Sequence, residues 1–505
     1  MIKKSGFNLA ERLTLLSRVS NLVLSRKKLF AILYGVVFLF FGVAVVFQKP
    51  NLDAVYYLNA SQLLAKGFLP WRDIATQYPY VSFFLLTPLA LVVPDEYLFR
   101  GGLLVMFGLV FFTARFVYLV GHLFFAEKWI AHICAFVFLL SVYVYQGTVY
   151  VLEPFVLFWG LPAVWCVLSS NGRRLWLLSS GVLCGLAMFS KQYGLGFLPL
   201  CFLSLLLWCR SSTRWGVSWR RNMTVMCRQF AWVMVGFGGV TLLYFGAALF
   251  LGGGKRVFEG FANQSYNHTF ARVSILVGTL KLFLITSGFI FIPLLFFCKV
   301  ERGVRWVFLF CFCGLGGFSL TLYFAPYAHY LILLAPFSAF LLGGLCVIAK
   351  NGTLLFRQGI VSLSAVFLAV LLFCVVKTAA GLVYYHTSDT AMVAVSRKLN
   401  AVIPPRETTL FLHSPVLDYT PILLYAGLVS PLVPIKPAWP TRVSELDKME
   451  NVQLINADHI VVSRDHMTAV IQDSFRRNYL QKNFAENKSF SDAKFILLSR
   501  IVPVD

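Results

Sequence analysis

The sequence predicts a polytopic all-α membrane bundle of about eleven transmembrane helices, followed by a small α/β domain outside the membrane. Of its 505 residues 59% are hydrophobic, and the mean hydropathy is +0.76. Ordinary soluble domains contain only about 45–50% apolar residues. Apolar runs long enough to cross a bilayer recur as far as residue 378, and charged residues return in 379–505. The chain therefore divides into a membrane region and a polar tail.

The first element is a basic N-terminus, residues 1–28, which precedes an apolar run at 29–47. Arg26, Lys27 and Lys28 stand directly before that run. The run is too long for a signal peptide and lacks a small-residue cleavage site, so an uncleaved signal anchor is expected. The membrane region is assigned to residues 29–378.

The first external loop, residues 48–98, contains a helical pattern that Gly67 and Pro70 end. Its apolar side is expected to lie along the membrane surface. The run at 81–93 is about 13 residues long and fits a re-entrant or interfacial segment better than a span. The residues that recur at helical spacing are Ala54, Tyr57, Leu58, Ser61, Leu64 and Ala65.

Lys and Arg counts set the predicted orientation. The further predicted spans are 99–120, 129–145, 154–169, 175–190, 193–209, 230–251, 274–298, 306–324, 331–348 and 360–376. The pieces that this arrangement places in the cytoplasm hold 20 Lys and Arg, against 8 on the opposite side up to Tyr330. The positive-inside rule therefore puts the first loop and the tail outside. It also accounts for the net charge of +23, and no nucleic-acid motif accompanies that charge.

The tail, residues 379–505, predicts a small α/β domain with a supporting or ligand-binding role. Strand-like runs stand at 408–413, 459–463 and 494–499, and helical patterns at 421–428 and 473–483. With about 127 residues it is long enough to bury a core of its own.

Several kinds of chemistry are excluded by what the sequence lacks. It has no P-loop, no G-x-S-x-G, no H-E-x-x-H and no Asp-x-Asp. All 11 cysteines lie between Cys134 and Cys374 without metal-ligand spacing, and disulfides are not expected. Asp-x-Asp is the usual metal-and-nucleotide signature of soluble sugar transferases, so its absence argues against an enzyme that uses a nucleotide sugar.

The stretch 51–80 carries a family resemblance. An acidic residue follows the first span, then come a helix, G-x-x-P-x-x-D ending at Asp73, and Tyr78-Pro79. This order resembles the first external loop of the GT-C glycosyltransferase superfamily, particularly the bacterial relatives of the protein mannosyltransferases and the lipid A aminoarabinose transferase (GT39/GT83-type). The resemblance covers roughly residues 30–340. Many relatives have two prolines where this chain has Pro79 and Tyr80.

The resemblance implies an inverting membrane glycosyltransferase. Such an enzyme moves a sugar, hexose or pentose, from a polyprenyl-phosphate donor to an acceptor hydroxyl on the extracytoplasmic side. The acceptor is a lipid, a polysaccharide or a protein. The expected location is the bacterial inner membrane, with the endoplasmic reticulum as the alternative. Some members of the superfamily use a divalent cation, which acidic residues on one side permit without requiring.

The resemblance makes Asp53 the general base that takes the acceptor's proton; the alternative is a helix N-cap. Asp73 and Tyr78 would line the donor pocket, although Asp73 also fits a turn. Arg72 would orient the phosphate or anchor the loop at the interface.

Four further residues stand at predicted outward turns. Glu153 is expected to bind sugar or acceptor hydroxyls, or else to stabilise a helix N-terminus. Lys191 would hold the donor phosphate, or else snorkel to the interface. His329 and Tyr330 are candidates for ligand contact, the alternative for His329 being a hydrogen-bonded structural role.

Three rival functions remain. A transporter or lipid flippase predicts charges buried within spans, yet Arg115 and Lys281 are nearly the only ones and lie toward span ends. No internal repeat supports that rival either. An O-antigen ligase or polymerase carries its large loop late in the chain, whereas here the distinctive loop comes first. A non-catalytic scaffold that keeps the fold is the third.

Overall fold

The structure is a computed structural model. It describes residues 9–50, 52–74, 78–147, 149–212, 219–251, 253–254, 257, 277, 279–282, 284, 302–324, 328–351, 354–384, 390–403, 409–412, 458–463, 474–489 and 495–501.

Most of the described residues are helical. The helices are α1 Leu9–Phe47, α2 Leu52–Ala65, α3 Val81–Val92, α4 Asp95–Phe125, α5 Lys128–Val142, α6 Glu153–Ser169, α7 Arg174–Ser190, α8 Phe197–Ser212, α9 Trp219–Phe250, α10 Arg302–Phe324, α11 Ala335–Asn351, α12 Leu354–Tyr384, α13 Thr390–Val402 and α14 Ser474–Asn483. A π-helical turn, Tyr143–Gly147, follows α5, and 3₁₀ turns at Gln192–Gly196 and Ala328–Leu334 precede α8 and α11.

Six stretches among the described residues are long and apolar enough to cross a membrane. They are Lys28–Phe47, Asp95–Phe125, Lys128–Tyr145, Met223–Phe250, Ala328–Lys350 and Ser364–Tyr384. Five shorter apolar helices accompany them, among them Val81–Val92 and Val304–Ser319. The prediction of a helical membrane protein is confirmed. The predicted span 274–298 lies almost wholly outside the described residues, so the count of eleven stays a prediction.

Helix α2 forms where the sequence predicted it but is packed differently. Residues 54–63 are all buried, including the polar Asn59 and Gln62. The predicted position along the lipid surface is therefore wrong for α2. Helices α3 and α4 cover it, and its polar side is satisfied internally, since Gln62 Nε2 donates to Asp95 Oδ1 at 2.7 Å.

The end of α1 is fixed by an arginine from α4. Arg100 Nη1 donates to the carbonyl oxygen of Val45 at 2.7 Å and also to that of Gln48. A cation is favourable at a helix C-terminus, where the last carbonyls lack partners within the helix. This contact sets the point at which the chain leaves α1 and enters α2, whose first turn carries Asp53.

The backbones of helices α7 and α9 lie close together where glycines face the neighbouring helix. A Cβ on Gly181 would lie 1.9 Å from the Val233 carbonyl oxygen, and one on Gly236 would lie 2.2 Å from that of Leu178. Small residues at such positions let membrane helices pack backbone to backbone. This contact holds α7, whose end leads into Lys191, against the bundle.

We expect Gly181→Ala to destabilise the protein because the obstacle is backbone and cannot rotate away. The expected loss is about 1–3 kcal/mol, as for overpacking, measured as a lower thermal midpoint in detergent. Gly239→Ala on α9 is the matched control, since a Cβ there would meet nothing within 4 Å. Equal midpoints for the two variants would contradict the close packing.

The described part of the tail contains a four-stranded sheet. Its strands are β1 Thr409–Leu412, β2 His459–Ser463, β3 Phe484–Glu486 and β4 Phe495–Arg500, in the order β1-β2-β4-β3. β1 pairs parallel with β2, and the other two pairs are antiparallel. The three predicted strands and the predicted helix at 473–483 have counterparts here. The predicted helix at 421–428 lies outside the described residues, and the extent of the α/β domain stays a prediction.

One ion pair connects the beginning of the tail to the bundle. Arg397 on α13 lies 2.6 Å from Glu96, in the first turn of α4. Helix α13 is therefore held at the end of the bundle where α4 begins, the same end as the first loop.

Candidate active site

A buried ion pair lies at this end of the bundle. Lys191 Nζ is 2.5 Å from Glu153 Oε1, and the side chains are 1% and 0% exposed. Glu153 is the first residue of α6, followed by Pro154. Lys191 has an extended backbone between α7 and the 3₁₀ turn, and its side chain reaches the first residue of α6. Buried charges of this kind are rare unless they are paired.

The environment keeps Lys191 protonated. Burial by itself lowers its pKa, but the Glu153 carboxylate and the hydroxyls of Tyr78 and Tyr193 raise it, and the net pKa lies above the usual value of 10.5. A raised lysine pKa stabilises the folded state at every pH below the unfolded value, and the contribution fades only as pH rises through the folded pKa. At neutral pH the site therefore holds an ammonium group.

Three tyrosine rings surround that ammonium. Lys191 Nζ lies 4.4 Å from the ring centroid of Tyr330, 5.4 Å from that of Tyr78 and 5.7 Å from that of Tyr193. The rings come from three separate turns, and their faces attract a cation without neutralising it. The result is an aromatic cage around a single cation.

The pair leaves hydrogen-bonding capacity for a ligand. An ammonium has three donors, and the hydrogen bond that Lys191 makes within the described residues goes to Glu153. The second oxygen of Glu153, Oε2, is buried and has no hydrogen-bond partner among those residues. His329 Nε2 lies 4.0 Å from Glu153 Oε1, and its ring is 4.6 Å from that of Tyr330.

Asp53 belongs to the same cluster. It stands in the first turn of α2 and is partly exposed. Burial raises the pKa of Tyr57, one turn later, and the nearby Tyr78, Asp53 and Glu153 raise it further. Both carboxylates also act electrostatically on Tyr330. Asp53 and Glu153 therefore both lie near the same two tyrosines, Tyr57 and Tyr330.

The first loop is anchored to α9. Trp71 has a left-handed backbone, with φ of 60°, and its indole N–H donates to the Tyr244 hydroxyl at 3.3 Å. The backbone N–H of Tyr80 donates to the same hydroxyl at 3.2 Å. A Cβ on Gly253 would lie 2.1 Å from Trp71 Cβ, so the end of α9 also packs on the loop. These contacts fix the position of Tyr78.

Arg72 and Asp73 make a local pair in this loop. Arg72 Nε lies 2.8 Å from Asp73 Oδ1, and the backbone N–H of Leu69 donates to Asp73 Oδ2 at 2.8 Å. Hydrogen bonding and the charge of Asp73 raise the pKa of Arg72. The geometry agrees with the turn role that the sequence offered for Asp73. A role for either residue in substrate binding stays a prediction.

The structure brings most of the predicted site residues together and adds tyrosines that the sequence analysis missed. Their spacing in the sequence could have indicated them, because Tyr57 stands four residues after Asp53 and Tyr193 two residues after Lys191. The predicted residues in the cluster are Asp53, Tyr78, Glu153, Lys191, His329 and Tyr330; the added ones are Tyr57 and Tyr193.

A divalent cation has no evident place among the described residues. No three His, Cys, Asp or Glu side chains gather there in a way that could hold a metal. Glu153, the most buried carboxylate of the cluster, already contacts the Lys191 ammonium, which would repel a dication. These residues do not fit a metal, and no step below uses one.

Comparison by sequence finds no relative: no family model matches the chain, and no curated protein matches it. Comparison by structure does find similar folds. ArnT from Cupriavidus metallidurans bound to undecaprenyl phosphate matches with a TM-score of 0.55 at 14% identity, over 93% of this chain and 97% of that one. Its apo structure gives 0.56 at 14% identity, over 94% and 98%.

The archaeal oligosaccharyltransferase AglB from Archaeoglobus fulgidus, in complex with an inhibitory peptide and a dolichol phosphate, matches at a TM-score of 0.45 and 11% identity, over 92% of this chain and 74% of that one. The chain therefore shares the fold of the two ArnT structures over nearly its whole length.

Proposed function

We propose that this protein is an inverting membrane glycosyltransferase that uses a sugar donor linked to polyprenyl phosphate. The observation that carries the proposal is the buried Lys191–Glu153 pair inside its tyrosine cage, with Asp53 beside it. The fold supports the same function, because ArnT, which has a similar fold, was solved with undecaprenyl phosphate bound.

Lys191 would bind the donor phosphate. Two of its three donors remain for phosphate oxygens while the third stays on Glu153. The surrounding rings exclude water, which strengthens the attraction between ammonium and phosphate. As the bond from the anomeric carbon to the phosphate oxygen breaks, its electron pair moves to the phosphate. A fixed cation stabilises that growing negative charge.

Glu153 would have two roles, one without substrate and one with substrate. Without substrate it balances the charge of Lys191, which could not otherwise remain buried. With substrate its second oxygen, Oε2, accepts a hydrogen bond from a sugar or acceptor hydroxyl. His329, 4.0 Å from the carboxylate, is placed to orient the same hydroxyl.

Asp53 would act as the general base. It is partly exposed, so an acceptor hydroxyl can reach it, and it takes the proton as that oxygen attacks the anomeric carbon. Attack opposite the phosphate inverts the anomeric configuration. Tyr78 lines the donor pocket, with Arg72 and Asp73 further along the loop, and the tail domain supports acceptor binding.

The site is placed on the extracytoplasmic face of a bacterial inner membrane. The excess of Lys and Arg in the loops at the opposite end supports that orientation. A lipid-linked donor also suits a face where nucleotide sugars are scarce. The acceptor is a lipid, polysaccharide or protein hydroxyl.

The proposal is tested by giving membranes that contain the protein either radiolabelled polyprenyl-phosphate sugar or the matching nucleotide sugar. We expect label to leave the lipid donor and enter an endogenous acceptor, with inverted configuration, and no transfer from the nucleotide sugar in donor-free membranes. Transfer from the nucleotide sugar contradicts the proposal. So does movement of intact labelled lipid across the bilayer without cleavage, which is the result for a flippase.

A further inference from the structure

A second cluster of polar and aromatic side chains lies at the other end of the bundle, away from the proposed active site. It joins α1, α4 and α5 and consists of Phe30, Tyr34, Arg115, Tyr118 and His132; we refer to it as the Arg115 cluster. Neither the proposed reaction nor the packing of the core requires an arginine there.

The aromatic rings of this cluster surround one imidazole, that of His132. Ring centroids lie 4.6 Å apart for Tyr118 and His132 and 4.7 Å apart for Phe30 and His132. The Tyr34 hydroxyl is 3.3 Å from His132 Nδ1, which leaves Nε2 as the free ring nitrogen among described contacts. The Arg115 guanidinium lies over the Tyr118 ring at 5.0 Å, so it points toward the C-terminal end of α4.

The cluster lies toward one end of the helices that carry it. His132 is four residues into α5, about 6 Å along the helix axis, and Tyr34 is about 9 Å beyond Lys28. Arg115 stands ten residues before the end of α4, about 15 Å. A long side chain directed toward that end brings its charge several ångströms closer to the lipid headgroups.

The guanidinium needs an anion that the described residues do not supply. Arg115 is exposed, yet no carboxylate of the described part of the chain pairs with it. Glu127 is an acidic residue at this end, and it lies 2.5 Å from Lys350. An exposed charge within a span is costly, and arginines in such places usually meet a counter-charge.

We propose that the Arg115 cluster binds the phosphate of an anionic phospholipid in the cytoplasmic leaflet. The planar guanidinium matches two phosphate oxygens, and His132 Nε2 adds a further contact. Phe112, one turn closer to the bilayer centre and 49% exposed, gives an acyl chain an apolar surface. The site lies at the opposite end of the bundle from Lys191 and is independent of the proposed reaction.

The test uses the full-length protein in uncharged detergent and counts retained phosphatidylglycerol by native mass spectrometry. We expect Arg115→Gln to bind the tightest phosphatidylglycerol at least tenfold more weakly than wild type. Arg173→Gln is the matched control, because Arg173 is an exposed arginine before α7 on the same predicted face. We expect this control to bind like wild type. Equal binding by wild type and Arg115→Gln overturns the proposal.

Two further measurements identify the ligand. Phosphatidylcholine and inorganic phosphate, at the same concentration, are expected not to displace the bound phosphatidylglycerol; displacement by either overturns an anionic-lipid site. Arg115→Lys keeps the positive charge and replaces the glutamine variant in this test if that variant fails to fold. A lysine ammonium lacks the two parallel N–H donors of a guanidinium, so we expect Arg115→Lys to bind phosphatidylglycerol at least threefold more weakly than wild type. Wild-type affinity in that variant overturns the assignment of the phosphate to Arg115.

Discussion

Replacing Asp53 with asparagine is expected to reduce sugar transfer by about 100-fold or more, the usual contribution of a general base. Asparagine cannot take the acceptor's proton at neutral pH. The loss should fall on kcat, because the donor phosphate contacts Lys191 and not Asp53. The measurement is transfer from labelled polyprenyl-phosphate sugar in membranes with equal amounts of protein.

The fold should survive this change. Asparagine has nearly the shape of aspartate, and at the second residue of α2 the lost negative charge removes about 0.3–1 kcal/mol of helix-dipole stabilisation. Asp95→Asn is the matched control: Asp95 is also in the first turn of a helix at this end, where it accepts from Gln62. We expect that variant to keep its activity. Full activity in Asp53→Asn would remove the assignment of the base.

Removing one partner of the buried pair is expected to destabilise the protein strongly. Lys191→Met leaves a carboxylate buried without a cation, and Glu153→Leu leaves an ammonium without an anion. Each single variant should lose about 3–5 kcal/mol of unfolding free energy, because an uncompensated charge then remains in the interior. The readout is the thermal midpoint in detergent, followed by the fraction of protein that stays monomeric after heating.

The double variant, Glu153→Leu with Lys191→Met, separates stability from function. Two apolar residues of similar volume can replace a buried ion pair at little or no cost, so the midpoint should return close to that of wild type. Activity should remain lost because no cation faces the phosphate. A double variant as unstable as the singles would show that the pair does not act as one unit.

Periodicity and charge predicted much of the fold. Apolar run lengths located most of the described helices of the membrane region, and short strand-like runs located β1, β2 and β4, whereas α13 and β3 were not predicted. For α2 the periodicity predicted the helix correctly, but the predicted position at the lipid surface was wrong. Periodicity indicates that a segment is helical, whereas the burial of Asn59 and Gln62 depends on the helices that cover α2 and on a hydrogen-bond partner such as Asp95.

The site was predictable residue by residue but not as an arrangement. Glu153 and Lys191 were both chosen as outward turn residues, yet nothing in the sequence joins two side chains 38 positions apart. Likewise, Tyr78 and Tyr330 come from turns that are distant from Lys191 in the sequence, and single tyrosines are common at membrane interfaces. Their convergence depends on tertiary contacts such as the anchoring of the first loop on Tyr244.

The most direct test of the account is the affinity for undecaprenyl phosphate, measured on purified wild-type protein and on the stable Glu153→Leu, Lys191→Met double variant. The account predicts saturable binding to wild type and at least tenfold weaker binding to the double variant, since the caged ammonium is the phosphate contact. Equal affinities in two equally stable proteins would contradict it.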